Sequence, residues 1–206
     1  LPGANCSVYD GATALAEAAW MAGAITGRRK LLVADSIWPQ SRQVLEIYLA
    51  GRGVEIATID FDPTTGRLDI PSLRQKLTTP PPAAVIVQTP NCFGVLESIP
   101  TISALCKEFE CHLNVACYPT MLGLLNSPGR QGADIVTCEG QPLGLELNAG
   151  GPYLGIIACR DEFIDYLPGR IVGECQDLKG EHALALVKQE REQHVRRHEA
   201  TSHICS

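Results

Sequence analysis

The 206-residue sequence contains no apolar run that approaches the roughly 20 residues needed for a membrane-spanning helix. Its first residues also lack the charged and then apolar pattern of a secretory leader. Lysine and arginine together number 17, against 23 aspartates and glutamates, and the net charge of −6 gives no support for a nucleic-acid-binding surface. From these absences we expect a cytoplasmic protein that binds neither membranes nor nucleic acids.

The nine cysteines include no C-x-x-C pair, which is the spacing typical of zinc sites and redox motifs. Cys117, Cys138 and Cys159 fall within or at the ends of apolar segments, where a thiol acts as a small hydrophobic group. An odd number of cysteines without a leader favours reduced thiols. His194 and His198 would share one face of a helix and offer two metal ligands, but no third ligand is evident nearby. We therefore predict no metal site.

The composition is that of an ordinary globular protein, with 45% hydrophobic and 19% charged residues. The length suits one well-buried domain, and no linker or internal repeat divides the chain. We therefore expect residues 1–206 to form a single domain. Because the sequence begins Leu1-Pro2-Gly3 without a methionine, we also expect it to be a segment of a longer polypeptide.

Apolar segments with strand character alternate with segments of helical periodicity along most of the chain. The predicted strands are residues 30–34, 54–59, 83–88, 111–117, 134–138 and 153–159, and the predicted helices are residues 11–26, 39–50, 70–77, 99–109, 161–167 and 181–200. This order indicates an α/β fold with a largely parallel sheet and helices on both of its faces. The loops at Asp35, residues 89–94, Tyr118 and residues 139–144 should then line one edge of the sheet, where ligands bind in such folds.

The start of the first predicted helix has the features of an anion-binding site. Asp10 is suited to cap this helix, and Gly11 leaves the backbone N–H groups of the first turn accessible. A helix N-terminus of this kind can hold a phosphate group. Composition alone gives more weight to the alternative, which is a capped and mostly buried helix without a ligand.

Several segments along the chain resemble one enzyme family. These are NCSVYDGATALAE at residues 5–17, VIVQTPNCFGVLE at 85–97, ADIVTCEGQPLG at 133–144 followed by GGPYLG at 150–155, LPGRIVGE at 167–174, and REQHVRRHEATSHIC at 191–205. Together they resemble the half of the glycine cleavage system P-protein that lacks the catalytic lysine. In bacteria with a split enzyme, this half is the first, or alpha, subunit.

The resemblance implies the large domain of a fold-type I pyridoxal-phosphate-dependent transferase, with three layers and a mainly parallel seven-stranded sheet. It also implies that the amino-terminal arm and the carboxyl-terminal small domain are absent from this segment. The family reaction decarboxylates glycine through a pyridoxal aldimine and passes the aminomethyl group to the lipoyl arm of the H-protein. The protein must then supply a Schiff-base lysine and an acidic partner for the pyridine nitrogen.

Neither group is present where the resemblance places it. Pro142 stands at the position that matches the Schiff-base lysine, and Tyr118, which carries no negative charge near neutral pH, stands at the position of the acidic partner. The five lysines are Lys30, Lys76, Lys107, Lys179 and Lys188, and none is expected at the carboxyl end of a buried strand. The isolated chain is therefore predicted to be inactive and to have no catalytic residue of its own. Pyridoxal phosphate would be held mainly by a lysine-bearing P-protein subunit 2.

We predict that residues before the first helix reach the cofactor of this partner, because they lie at the expected edge of the sheet. These are Asn5, Ser7, Tyr9 and Asp10, together with Gly11, and the second choices in strand-end loops are Asn91 and Gln141. For each of these side chains, a role in a turn or cap is the alternative. Arg170 would clamp a carboxylate or phosphate, or else form an ion pair with Glu174.

Two other functions stay open on the residues alone. One is a degenerate binding or scaffolding module that retains the sheet without an enzymatic role. The other is an independent pyridoxal enzyme that uses one of the five lysines.

Overall fold

The computed structural model describes residues 1–5, 8–77, 80–147, 149, 151–169 and 171–187. A seven-stranded sheet is formed by β1 (Gly3–Ala4), β2 (Lys30–Ala34), β3 (Glu55–Ile59), β4 (Ala84–Thr89), β5 (His112–Cys117), β6 (Ile135–Glu139) and β7 (Gly155–Cys159). Its strand order is β1-β7-β6-β5-β4-β2-β3. The strands from β6 to β3 are parallel, whereas β7 is antiparallel to both β6 and β1. The predicted mainly parallel seven-stranded sheet is confirmed.

Within the described part of the chain, four α-helices cover the sheet: α1 (Gly11–Thr26), α2 (Pro39–Leu49), α3 (Ile70–Lys76) and α4 (Ile99–Glu108). The α1 helix packs on α2 and on the central strands, and α4 packs on β5. Right-handed crossovers place α1 and α2 on one face and α3 and α4 on the other, because the chain reverses direction across the sheet after β3. The result is a three-layer α/β fold.

The sequence explains why the sheet is central. All six residues of β4 are buried, as expected for a parallel strand with helices on both faces. The α1 helix is alanine-rich, so its backbone approaches the sheet closely, and the buried Asn114 of β5 donates from Nδ2 to the Ala18 carbonyl at 3.0 Å. That buried amide fixes α1 against the middle of the sheet.

The prediction of a helix over residues 181–200 is wrong for its described part. Residues 182–187 form a strand, β9 (His182–Val187), which pairs antiparallel with β8 (Ile171–Gln176). Four apolar residues close together suggested a helical stripe, but the pairing with β8 determines the conformation here. The remainder of that predicted helix, with His194 and His198, lies outside the described residues.

The other predicted elements are present with ends shifted by zero to two residues. The predicted helix at 161–167 is a 3₁₀ helix, Asp161–Tyr166, and two further 3₁₀ helices, Pro119–Gly123 and Gln141–Leu143, follow β5 and β6. Within the described ranges, every α-helix is too short or too polar to cross a bilayer.

Candidate active-site edge

The carboxyl ends of the parallel strands and the start of β7 meet at one edge of the sheet and surround a cleft of about 290 Å³. The start of α1 contributes Asp10 and Gly11 to its wall. The ends of β5 and β6 contribute Tyr118 and Glu139, and Tyr153 lies opposite, just before β7. The expected position of a ligand site in this fold is therefore an open cleft.

Glu139, the last residue of β6, fastens three chain segments together with its carboxylate. Its Oε2 accepts a hydrogen bond from the Gly11 N–H at 2.8 Å. Its Oε1 accepts from the N–H groups of Gln141 at 2.8 Å and Leu154 at 3.1 Å. The carboxylate therefore satisfies a donor at the N-terminus of α1, where the helix dipole favours negative charge.

The same helix end is capped from within. Asp10 Oδ1 accepts from the Thr13 N–H at 2.6 Å, which is the predicted N-cap interaction. The contact between β6 and α1 is close, since a Cβ built on Gly11 would lie 2.9 Å from the Glu139 Cβ. A phosphate group that used the Gly11 N–H would have to displace the Glu139 carboxylate.

We expect Glu139→Gln to lower the free energy of unfolding by about 1–3 kcal/mol, because one of the three N–H groups would then face an amide NH₂ instead of an acceptor. Chemical denaturation followed by circular dichroism measures this change. Glu146→Gln is the matched control, since Glu146 is exposed and its replacement should change stability by less than about 0.5 kcal/mol. Equal stabilities of the two variants would contradict the role given to Glu139.

The described lysines lie away from the cleft. Lys30 begins β2 at the opposite edge of the sheet, and Lys76 forms an ion pair with Asp60 at 2.9 Å. Lys107 is exposed on α4, and Lys179 is exposed in the turn between β8 and β9. Lys188 lies outside the described residues. No described lysine therefore brings its amine to the cleft wall.

Pro142 and Tyr118 occupy the two positions singled out in the sequence. Pro142 lies in the exposed 3₁₀ helix after β6, and Tyr118 directly follows β5. Neither side chain carries a nucleophilic amine or a carboxylate.

The predicted site residues near α1 divide into two groups. Tyr9 is largely exposed beside the cleft, whereas Asp10 and Gly11 line it. Asn5 is buried beside β7, where its Oδ1 accepts from the Ile157 N–H at 2.8 Å. Ser7 lies outside the described residues, as does Arg170. The structure therefore places Asp10 and Gly11 in the cleft wall, the exposed Tyr9 directly before them in the chain, and Asn5 further along β7.

The second-choice residues are engaged in hydrogen bonds within their own loops. Asn91 is buried, and its Nδ2 donates to the Gly66 carbonyl at 2.7 Å and to Glu97 Oε1 at 2.8 Å. Its Oδ1 accepts from the N–H groups of Phe93 and Val95. Gln141 Nε2 donates to the Leu145 carbonyl at 2.6 Å, and its N–H reaches Glu139. These hydrogen bonds stabilise the two loops. A binding role for either residue stays a prediction.

A surface of exposed leucines adjoins the cleft. The 3₁₀ helices after β5 and β6 contact each other, and the leucines of these two segments are exposed: Leu122, Leu124, Leu143, Leu145 and Leu147. We call this surface the leucine edge. Leu124 is 89% exposed and Leu147 is 79% exposed. Large apolar side chains exposed in neighbouring segments are a common feature of interaction surfaces.

Sequence reasoning did not assign Glu139, the leucine edge or the paired thiols of Cys117 and Cys138, which lie 3.4 Å apart. An acidic residue at the carboxyl end of a buried strand was a usable signal for Glu139. The leucines lie in loop segments without periodicity, and the thiol pair depends on strand register. No pattern in the sequence could therefore have identified these two features.

Comparison with known proteins gives the class and then the family. The fold matches that of a cysteine desulfurase from Thermococcus onnurineus with a TM-score of 0.61 at 19% identity, over 87% of this chain and 44% of that one. It matches the glycine decarboxylase (P-protein) of the glycine cleavage system, solved in an inhibitor-bound form, with a TM-score of 0.90 at 38% identity, over 98% of this chain and 45% of that one. The fold is therefore that of the fold-type I pyridoxal-phosphate enzymes.

The sequence comparisons agree with this. The family model for the glycine cleavage system P-protein matches residues 1–206. The probable glycine dehydrogenase (decarboxylating) subunit 1 of Desulfitobacterium hafniense is 48% identical over 206 residues, which are 100% of this chain and 46% of that protein. The chain belongs to the glycine cleavage system P-protein family and spans a little less than half the length of the curated relatives it matches.

Proposed function

We propose that this chain is the non-catalytic, alpha-type subunit of a glycine-decarboxylating P-protein, and that it works only in complex with a lysine-bearing subunit 2. The complex would decarboxylate glycine and transfer the aminomethyl group to the lipoyl arm of the H-protein. The reaction would take place in the cytoplasm, in keeping with the free thiols of all seven cysteines among the described residues.

The observation that carries this proposal is the Glu139 carboxylate at the N-terminus of α1. A cofactor with a phosphate group would need the backbone donors of this helix end, but Glu139 accepts from the Gly11 N–H and Asp10 accepts from the Thr13 N–H. A second anion at the same place would be repelled by both carboxylates. The cleft of this chain alone therefore does not fit pyridoxal phosphate.

No lysine among the described residues is suited to hold the cofactor, which supports the proposal that the partner subunit supplies it. Covalent attachment of an aldehyde cofactor needs a lysine whose amine is partly desolvated and close to the cleft. Lys76 instead is paired with a carboxylate, and Lys107 is exposed to solvent. The partner subunit would supply the lysine, and it would hold the cofactor mainly through its own residues.

The leucine edge supplies a surface on which the partner can dock. It lies on the segments that follow β5 and β6, whose ends line the cleft, so that a subunit bound there would lie next to the cleft. Tyr9 and Asp10 would then face the interface and lie close to the partner's cofactor. Burial of the exposed leucines would provide the apolar centre of that interface.

Exchange of the glycine carboxyl group with labelled bicarbonate tests the proposal. We expect the full gene product and subunit 2 together, with lipoylated H-protein, to catalyse exchange, and each chain alone to show none. Failure of this chain to increase the exchange above that of subunit 2 alone would overturn the proposal. Exchange by this chain without subunit 2 would overturn it as well.

A further inference from the structure

Two cysteines face each other across neighbouring strands at the cleft edge. Cys117 ends β5, and Cys138 of β6 is its direct partner in the parallel register. Their Sγ atoms are 3.4 Å apart and share a hydrogen bond. Neighbouring strands lie about 4.8 Å apart, and disulfides join Cα atoms separated by about 4.4–6.8 Å. The usual spacing of neighbouring strands therefore lies within the range of Cα separations that a disulfide can join.

Both residues are buried, but they border the cleft. They contribute to the wall of the cleft and keep 7% and 8% of their surface exposed, whereas Cys159 of β7 keeps none. Tyr118, directly after Cys117, is exposed, so the strand ends beside open space. An oxidant about the size of a water molecule can therefore approach this pair more easily than Cys159.

The two thiols are not equivalent. The hydrogen bond between the two thiols lowers the pKa of Cys117, although burial acts in the opposite direction. The same hydrogen bond, together with burial, raises the pKa of Cys138. We therefore assign the attack to Cys117, which ends β5 next to the exposed Tyr118, and the second step to Cys138.

We propose that Cys117 and Cys138 form a redox-active dithiol, which a hydroperoxide oxidises to an intramolecular disulfide. The Cys117 thiolate attacks one oxygen of hydrogen peroxide, the O–O bond breaks, and hydroxide leaves and is protonated to water, so that Cys117 becomes a sulfenic acid. The Cys138 sulfur then attacks the Cys117 sulfur. The S–O bond breaks as the S–S bond forms, and the departing hydroxide takes the Cys138 proton. Two thiols are oxidised by two electrons in total, and one peroxide is reduced to two waters.

Peptide mapping of the full gene product tests the disulfide. The protein is treated with hydrogen peroxide, quenched in acid, blocked with N-ethylmaleimide under denaturing conditions and digested without reduction. We expect one linked peptide that joins Cys117 to Cys138 and disappears on treatment with dithiothreitol. Cys175→Ser is the matched control, because Cys175 is exposed outside the cleft and its loss should leave the linked peptide unchanged.

A second variant tests the order of the steps. Cys138→Ser keeps a hydroxyl donor next to Cys117 but removes the resolving sulfur, so the sulfenic acid should persist on Cys117 and react with dimedone. In the wild-type protein the disulfide should form first and leave little dimedone adduct on Cys117. If the serine variant fails to fold, peptide mapping of the wild-type protein is sufficient to test whether the disulfide forms.

The proposal is overturned if both cysteines remain free thiols while Cys175 is oxidised in the same sample. It is also overturned if Cys117 or Cys138 is found linked to any other cysteine instead. Neither result depends on glycine exchange, so this test is independent of the function proposed above.

Discussion

Replacing Leu124 by aspartate is expected to weaken binding to a lysine-bearing P-protein subunit by about 2 kcal/mol, or roughly 30-fold in Kd. Leu124 is 89% exposed in the leucine edge, so the substitution removes little from the folded core of this chain. In the complex, the same position would lie in the apolar centre of the interface, where a buried and unpaired carboxylate is costly. Isothermal titration calorimetry of the full gene product with subunit 2 measures the change.

Ile47→Asp is the matched control for this experiment. Ile47 is 75% exposed, and it lies in the last turn of α2, which runs from the cleft edge toward the opposite edge of the sheet. It presents a similar apolar surface away from the cleft, and its replacement should leave Kd unchanged. The same Kd for the Leu124 variant and the wild type would contradict docking at the leucine edge. So would a Leu124 variant that loses stability but not affinity, because a segment of the gene product itself would then cover that surface.

Much of the fold could be predicted because its signals are local. The α1 helix was predicted with both ends correct, since alanine-rich composition, a capping aspartate and a terminal glycine all lie within the segment itself. The buried strand β4 was predicted within one residue for a similar reason, as its continuous apolar run is typical of a covered parallel strand. The mainly parallel sheet follows from the alternation of such segments.

The β8–β9 hairpin could not be predicted in the same way. Residues 182–187 contain alternating small and apolar residues that suit either a strand or a helix face. The pairing partner, β8, decides between them, and residues 171–176 carry no distinct strand pattern of their own. A pairing of two weak segments is a tertiary property, and local propensity does not determine it.

The candidate site was also predictable only where its contacts are local in the sequence. The N-cap role of Asp10 is local and was predicted correctly. The contact between Glu139 and the Gly11 N–H joins residues 128 positions apart, and the thiol contact depends on the register between β5 and β6. Sequence alone therefore indicated the edge of the sheet at which the cleft lies, but it did not indicate that a carboxylate of the chain occupies the end of α1.

The second prediction with a large expected effect concerns which subunit is covalently attached to the cofactor. In an active complex, borohydride reduction should attach a phosphopyridoxyl group to a lysine of subunit 2 and to no lysine of this chain. The physical reason is that Glu139 and Asp10 already accept from the Gly11 and Thr13 N–H groups at the start of α1, and that the cleft wall described here offers no amine. A subunit 2 in which the Schiff-base lysine is replaced by alanine is the control, and the complex that contains it should carry no label.

Mass spectrometry of tryptic peptides from the reduced complex measures most directly which subunit carries the cofactor. The account predicts that the label is confined to one lysine of the partner. A phosphopyridoxyl adduct on any lysine of this chain, namely Lys30, Lys76, Lys107, Lys179 or Lys188, would contradict it.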